Sequence, residues 1–173
     1  MNRTGVRVSA HSRSESRWSI GAIAGLAGGA IEVGWIVLYQ NMTGHQAGAV
    51  ARSVTQSVIP QLATAPAAVS LGVAIHMALA VGLGILIAVL VRGLLPHVIG
   101  TPMEPMAVVA MLAGVWAMNF FVILPAINPA FVTLLPYGVS LISKIFFGFA
   151  AAVVFWCAGR LHAAGREEAF DVQ

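Results

Sequence analysis

The sequence predicts an all-α fold: a polytopic membrane protein with four transmembrane helices, both termini cytoplasmic, and one short amphipathic surface helix. Three observations predict it. Hydrophobic residues make up 59% of the 173-residue chain and charged residues only 9%, where a soluble domain carries about 25% charged residues. Four apolar runs each reach the length of about 20 residues that a helix needs to cross hydrocarbon. The basic residues also gather on alternate connections: Arg3, Arg7, Arg13, Arg17, Arg92, Arg160 and Arg166 fall in the N-terminal tail, the second connection and the C-terminal tail. By the positive-inside rule those segments face the cytoplasm, and an even number of spans agrees.

Taken in order, residues 1–17 are polar, rich in serine and arginine, and read as a disordered basic tail. The run from Trp18 to Tyr39 is longer than a signal-peptide core of about 7–15 residues. It contains Glu32 and is not followed directly by a small-residue cleavage site, so it reads as a retained first span. Gly21, Gly25 and Gly28 recur at three- and four-residue spacing on the side that carries Glu32. Small residues so placed let a second helix approach closely. They turn the glutamate toward protein and offer a face along which two copies could pair.

Residues 41–67 form the longest polar connection. Thr43 and Gln46 have capping-box spacing, and Ala47, Val50, Ala51, Val54 and Val58 then recur with helical period, up to Pro60. Two readings stand side by side: an amphipathic helix lying at the membrane surface, and an ordinary loop helix packed on the bundle. The second span covers about Ala68 to Val91 and contains His76. Turn chemistry at Pro96, His97, Gly100 and Pro102 leads to a third span, about Met106 to Leu124, which contains Asn119 and ends before Pro125. A fourth span runs from Pro136 to Arg160 and contains Lys144, followed by a charged tail over 161–173. The folded unit is therefore one bundle, 18–160.

Each span thus contributes one of four residues, Glu32, His76, Asn119 and Lys144. At about 1.5 Å per residue, Glu32 and Asn119 stand roughly 20 Å along outward-running helices. His76 and Lys144 stand roughly 12–15 Å along inward-running ones. All four fall in one slab slightly outward of the midplane. Lysine costs about 2.5–3.5 kcal/mol at the centre of a spanning helix, so it seldom stands there without a partner. Glu32 is the one acid similarly placed, and the two are expected to pair, with His76 and Asn119 completing the hydrogen bonds. Ser140 and Tyr137 share the face of Lys144 one and two turns away, and Gly148 and Ala151 continue that face inward. This buried polar layer, Glu32, His76, Asn119, Lys144, Ser140 and Tyr137, is the candidate site. Its functional reading is a relay or binding site for a proton, ion or small polar solute. Its bland reading, of equal weight, is a network that fixes helix register.

Other chemistries fit less well. Only one histidine lies within the spans, whereas a transition-metal site wants several converging soft or imidazole ligands. Met77, Met103, Met106 and Met118 are ordinary gap-filling methionines before they are copper ligands. Cys157 stands alone, which excludes an internal disulfide. The chain has no nucleophile–base pair, phosphate-cradling glycine loop or paired carboxylates, so an enzyme is not expected, nor is a cofactor. No basic face with interleaved aromatics points to nucleic acid. Pro66 to Leu71 and Pro136 to Leu141 echo one another at the openings of the second and fourth spans, a trace of a tandem repeat of the kind some transporters contain.

From His76 onward the chain resembles the YagU-like bacterial inner-membrane proteins. The resemblance is carried by His76 early in a run that ends before Pro96, Gly114 and Pro125 in and after the third span, and Val139-Ser140 followed by Ile145-Phe146-Phe147-Gly148 in the fourth. It covers spans two to four and implies an inner-membrane protein without assigned activity. The expectations are a small permease or channel-like protein, homo-oligomeric, or a non-catalytic accessory subunit of a larger membrane complex. The bilayer is the common partner.

Overall fold

The computed structural model describes residues 9–46 and 48–171, with side chains over 18–46 and 48–160. Among them helix is the one regular secondary structure, and no strand forms. The long helices are α1 (Ser9–Met42), α3 (Ala68–Leu94), a broken helix that begins as α4 (Met103–Met118) and ends as α5 (Leu124–Ile127), and α6 (Tyr137–Asp171). A short helix, α2 (Ala49–Val58), fills the first connection. Among the described residues four segments are long and apolar enough to cross a membrane: Trp18–Met42, Ala68–Leu94, Met103–Ile127 and Tyr137–Arg160.

Helix α1 is the axis of the bundle. It packs antiparallel against α3 on one side and α6 on the other, and α6 in turn packs against α4. Glycines make the first contact possible. A Cβ on Gly25 would meet Val81 Cα at 2.7 Å, and one on Gly21 would meet Ile85 Cα at 2.7 Å. The backbones of α1 and α3 therefore touch, and Gly84 sits between Gly21 and Gly25. Gly28 faces the other way, with the Phe147 ring of α6 2.6 Å from where its Cβ would be. The expected pairing of two copies along Gly21, Gly25 and Gly28 is thus corrected. That face is consumed within one chain, because both neighbours of α1 need it. Below the site a core of Ile20, Ala24, Ile87, Val108, Leu112, Phe147 and Phe155 fills the bundle toward the terminal end.

Three boundaries differ from those the sequence predicts. Helix α1 begins at Ser9, so the later part of the expected tail is helical backbone; residues 1–8 and the side chains of 9–17 lie outside the described residues. Helix α6 likewise continues to Asp171; the side chains of the expected charged tail and residues 172–173 lie outside them too. The third span does not stop before Pro125. Proline has no N–H to give the carbonyl four residues back, and its ring crowds that carbonyl. The chain answers with a π turn over Asn119–Ile123, in which the Leu124 N–H donates to the Asn119 carbonyl, and then continues to Ile127.

At the far end, opposite the termini, the Thr43–Gln46 capping box does not form. Thr43 instead closes α1, its hydroxyl donating to the Tyr39 carbonyl at 2.9 Å. Gly44 at φ +73° and the His45 N–H to Gln40 carbonyl bond complete a Schellman turn. Helix α2 has Gly48 as its N-cap, with no side-chain cap, and Ala47 lies outside the described residues. Of its two expected positions, α2 takes the one packed on the bundle. Ala51 lies against Gly72 of α3, and the Thr55 hydroxyl donates to the Ala68 carbonyl at 2.6 Å. Its buried side includes Ser53 and Thr55, while Val58 is half exposed. The apolar stripe predicted for it is therefore only partly the inner face. Val50 and Val54 pack on a second cluster, Trp116, Phe120, Leu124 and Phe131.

Candidate functional site

Glu32 stands one turn beyond the glycine contacts, where α1 meets α3 and α6 together. Gly29 just below it lies against Ala80 and Met77 of α3, and Gly28 lies against Phe147 of α6. Glu32 is consequently 7% exposed. Lys144 Nζ lies 2.7 Å from Oε1 and 2.7 Å from Oε2, so one ammonium bridges both oxygens. Short charge-assisted hydrogen bonds of this kind are about twice as strong as neutral ones. The Ser143 hydroxyl lies 3.1 Å from Oε1 and 2.7 Å from the Ser140 carbonyl; its single proton serves one acceptor at a time. His76 Nε2 of α3 lies 3.7 Å from Oε2. That is too long for a hydrogen bond, and Nε2 is buried without one among the described residues. The Phe147 ring closes the terminal side, its centroid 5.7 Å from Nζ.

The structure therefore brings together three of the six predicted residues, Glu32, Lys144 and His76, from three different spans. Ser140 is adjacent: its hydroxyl accepts the Trp116 indole N–H at 3.0 Å and donates to the Tyr137 carbonyl at 2.9 Å, and its own carbonyl faces Ser143. Asn119 is corrected. It is half-buried at the start of the π turn, with no hydrogen bond to the ion pair among the described residues. Tyr137 is corrected too. Its side chain is half exposed, its ring lies against Phe120 and Phe121, and it helps line a hollow of about 360 Å³ near Tyr39 and Thr133.

Sequence reasoning missed Ser143, Trp116, Trp35 and Gln40. Ser143 is next to Lys144, about 100° around the helix, and it reaches Glu32 because the carboxylate sits between the two positions. Trp35, one turn beyond Glu32, donates its indole N–H to the Val139 carbonyl at 3.1 Å and meets Phe146 edge-on. Gln40, two turns beyond Glu32, is 2% exposed with Oε1 unpartnered among the described residues. Its signal was available: an amide near the end of an apolar run, at i+8 from the acid.

Chemically, the cluster is a carboxylate neutralised by an ammonium, with an imidazole poised to compete for it. Imidazole exchanges protons near neutral pH more readily than any other side chain. Among the described residues no three His, Cys, Asp or Glu side chains converge on a metal position. Met103, Met106 and Met118 are each more than half exposed and Met77 packs on Gly29.

Fold and site together define a small all-α protein with four potential membrane spans and an ion pair at their common height. No protein-family model, curated protein or solved structure matches the chain.

Proposed function

We propose that this chain is a multi-pass protein of a bacterial inner membrane that moves a proton, ion or small polar solute past Glu32, His76 and Lys144. The observation that carries the reading is the unpartnered Nε2 of His76, 3.7 Å from a carboxylate that Lys144 already holds. A network kept only to fix helix register gains from having every buried polar atom paired. Here one nitrogen of a proton-active group has no hydrogen bond among the described residues and stands beside the charge it could claim. Protonated His76 would draw Oε2 away from Lys144, and the exchange of partners gives the site two states. The kinship of spans two to four with YagU-like proteins belongs to the same proposal.

The two short contacts from Lys144 to one carboxylate favour a second reading, an accessory subunit whose ion pair sets the packing of α1 on α6. Purified protein in liposomes separates the two. Transport predicts flux under an imposed proton or ion gradient, lost in the charge-free Glu32→Gln/Lys144→Met double variant although that variant folds. Wild-type vesicles tight to protons, common ions and metals, from a protein that co-purifies with fixed partners, would leave the accessory reading.

A further inference from the structure

Gly72, His76 and Ala80 follow one another at four-residue spacing on one face of α3. The positions on either side of the histidine are both covered by other helices. Gly72 lies against the Ala51 carbonyl of α2, and a Cβ there would also meet the Thr55 hydroxyl at 2.9 Å. Ala80 lies against Gly25 and Gly29 of α1. His76 therefore stands where α1, α2 and α3 meet. Its side chain is 23% exposed, but Nε2, the atom 3.7 Å from Glu32, is buried. Toward the terminal end α1 and α3 touch backbone to backbone at Gly21, Gly25 and Gly84, and Phe147 lies on Gly28. Those contacts cannot part without separating the long helices. Toward the far end the next position on this face is covered by α2, a helix of ten residues whose outer positions Arg52 and Gln56 are exposed.

Helix α2 is held in a way that lets it leave. A helix of that length is marginal without tertiary contacts, and much of its hold is polar. The Thr55 hydroxyl donates to the Ala68 carbonyl at 2.6 Å. Asn128 Nδ2, just past the third span, lies 3.0 Å from the Ser57 hydroxyl and 3.2 Å from that of Ser53. Water replaces such bonds when they open, so each contributes little net stability. The apolar part of the hold leads back to the ion pair. Val50 and Val54 rest on the cluster that contains Trp116. The Trp116 indole donates to the Ser140 hydroxyl, and the Ser140 carbonyl and Glu32 share the hydroxyl of Ser143.

We propose that α2 is the gate of this site: it closes the far side of His76, and the site meets the far-end solution only while α2 is lifted from Gly72. This rests on the transport reading and deepens it, naming the gated side and the element that gates it. The structure also supplies a clamp. A Cβ on Gly48, the residue before α2, would lie 3.9 Å from Val69 Cβ of α3, inside the range of about 3.5–4.5 Å that a disulfide spans. Gly48 has φ −83°, which a cysteine adopts without strain. Gly48→Cys/Val69→Cys therefore ties α2 down under oxidation and frees it on reduction.

The test uses the full chain with the exposed Cys157 replaced by alanine, in lipid nanodiscs that leave both ends open to solution. It reads, by intact mass, how fast a charged, membrane-impermeant methanethiosulfonate modifies His76→Cys, a substitution that keeps Glu32 and Lys144 in place. The oxidised clamp should slow that modification about tenfold or more. Asn128→Leu, which cuts the latch, should speed it about tenfold, and the milder Ser57→Ala should act in the same direction. With His76 restored, the clamp should stop proton or ion flux in liposomes, and reduction should bring it back. Equal modification of the clamped, unlatched and parent proteins overturns the gate, whatever the flux. Flux that persists through a fully formed clamp overturns it as well. A clamp that fails to form removes the contact of α2 with α3 and the gate with it. Modification that follows the clamp and the latch, in a protein whose wild type carries no flux, keeps α2 as the cover of the site and removes transport.

Discussion

At the scale of single residues, the ion pair is where the energy is concentrated. Lys144 offsets the cost of its place in an apolar helix by gripping both oxygens of Glu32. Removing one partner leaves a buried charge, which costs about 3–5 kcal/mol in protein interiors. Glu32→Gln should fall toward the lower part of that range, because the Lys144 side chain is 15% exposed. Adding Lys144→Met should recover most of the loss, as measured by unfolding in mixed micelles. Additive losses in the double variant would mean that the two groups do not act as a pair. This pair was legible in the sequence because depth can be counted along a helix at a fixed rise. Rotation about the axis could not be counted as safely. Asn119 has the right height but the wrong azimuth: Leu112, Trp116 and Phe120 are the buried line of that span, and Asn119 stands beside it. Tyr137 has the right azimuth relative to Lys144 but lies two turns away, where α6 meets the aromatic rings of the third span.

At the scale of helices, close approach is set by which glycines have no room for a methyl. Gly25 and Gly82 look alike in sequence, both in apolar runs, yet an added Cβ on Gly25 meets α3 backbone and one on Gly82 meets nothing within 4 Å. Gly25→Ala should therefore destabilise by about 1–3 kcal/mol through overpacking. Gly82→Ala should be neutral or raise stability by about 0.5–1 kcal/mol through helix entropy. Equal effects at the two positions in the same unfolding assay would contradict the α1/α3 contact. Helix α2 depends on a polar latch. Asn128 Nδ2 lies 3.0 Å from the Ser57 hydroxyl, 3.2 Å from that of Ser53 and 3.4 Å from the Ser53 carbonyl. Asn128→Leu should lose hydrogen bonds with a net contribution of about 1–1.5 kcal/mol. Amide exchange over Ala49–Val58 should then quicken about tenfold, with α3 unchanged. This latch was out of reach of the sequence, since it joins residues more than seventy positions apart. The cap of α4 was within reach. Thr101 and Glu104 have capping-box spacing, and Glu104 accepts the Gly100 N–H at 2.7 Å while Thr101 accepts that of Met103 at 3.2 Å.

At the scale of the whole molecule, charge predicts which end of the bundle would face the cytoplasm. The terminal end carries Arg92 and Arg160, with four further arginines before Trp18, whereas Arg52 is the lone lysine or arginine in the far-end connections. Basic residues near span ends hold their side in place during insertion, so both termini should lie in the cytoplasm and α2 outside. A fluorescent protein joined after Gln173 should then mature, and alkaline phosphatase inserted after Gln61, in the exposed turn that follows α2, should be active in a bacterial host. Active phosphatase at the C-terminus would reverse the bundle. The outcome bears directly on the site. In the predicted orientation the glycine and phenylalanine contacts lie on the cytoplasmic side of the ion pair. Phe147 is then the part of the seal made of a side chain rather than backbone. On the transport reading, Phe147→Ala should let protons cross without waiting for a change of partner at Glu32, so that vesicles bearing it discharge a pH gradient faster than wild type. A Phe147→Ala protein that folds and is no leakier than wild type would place the barrier elsewhere, most directly at the backbone contact of Gly21, Gly25 and Gly84.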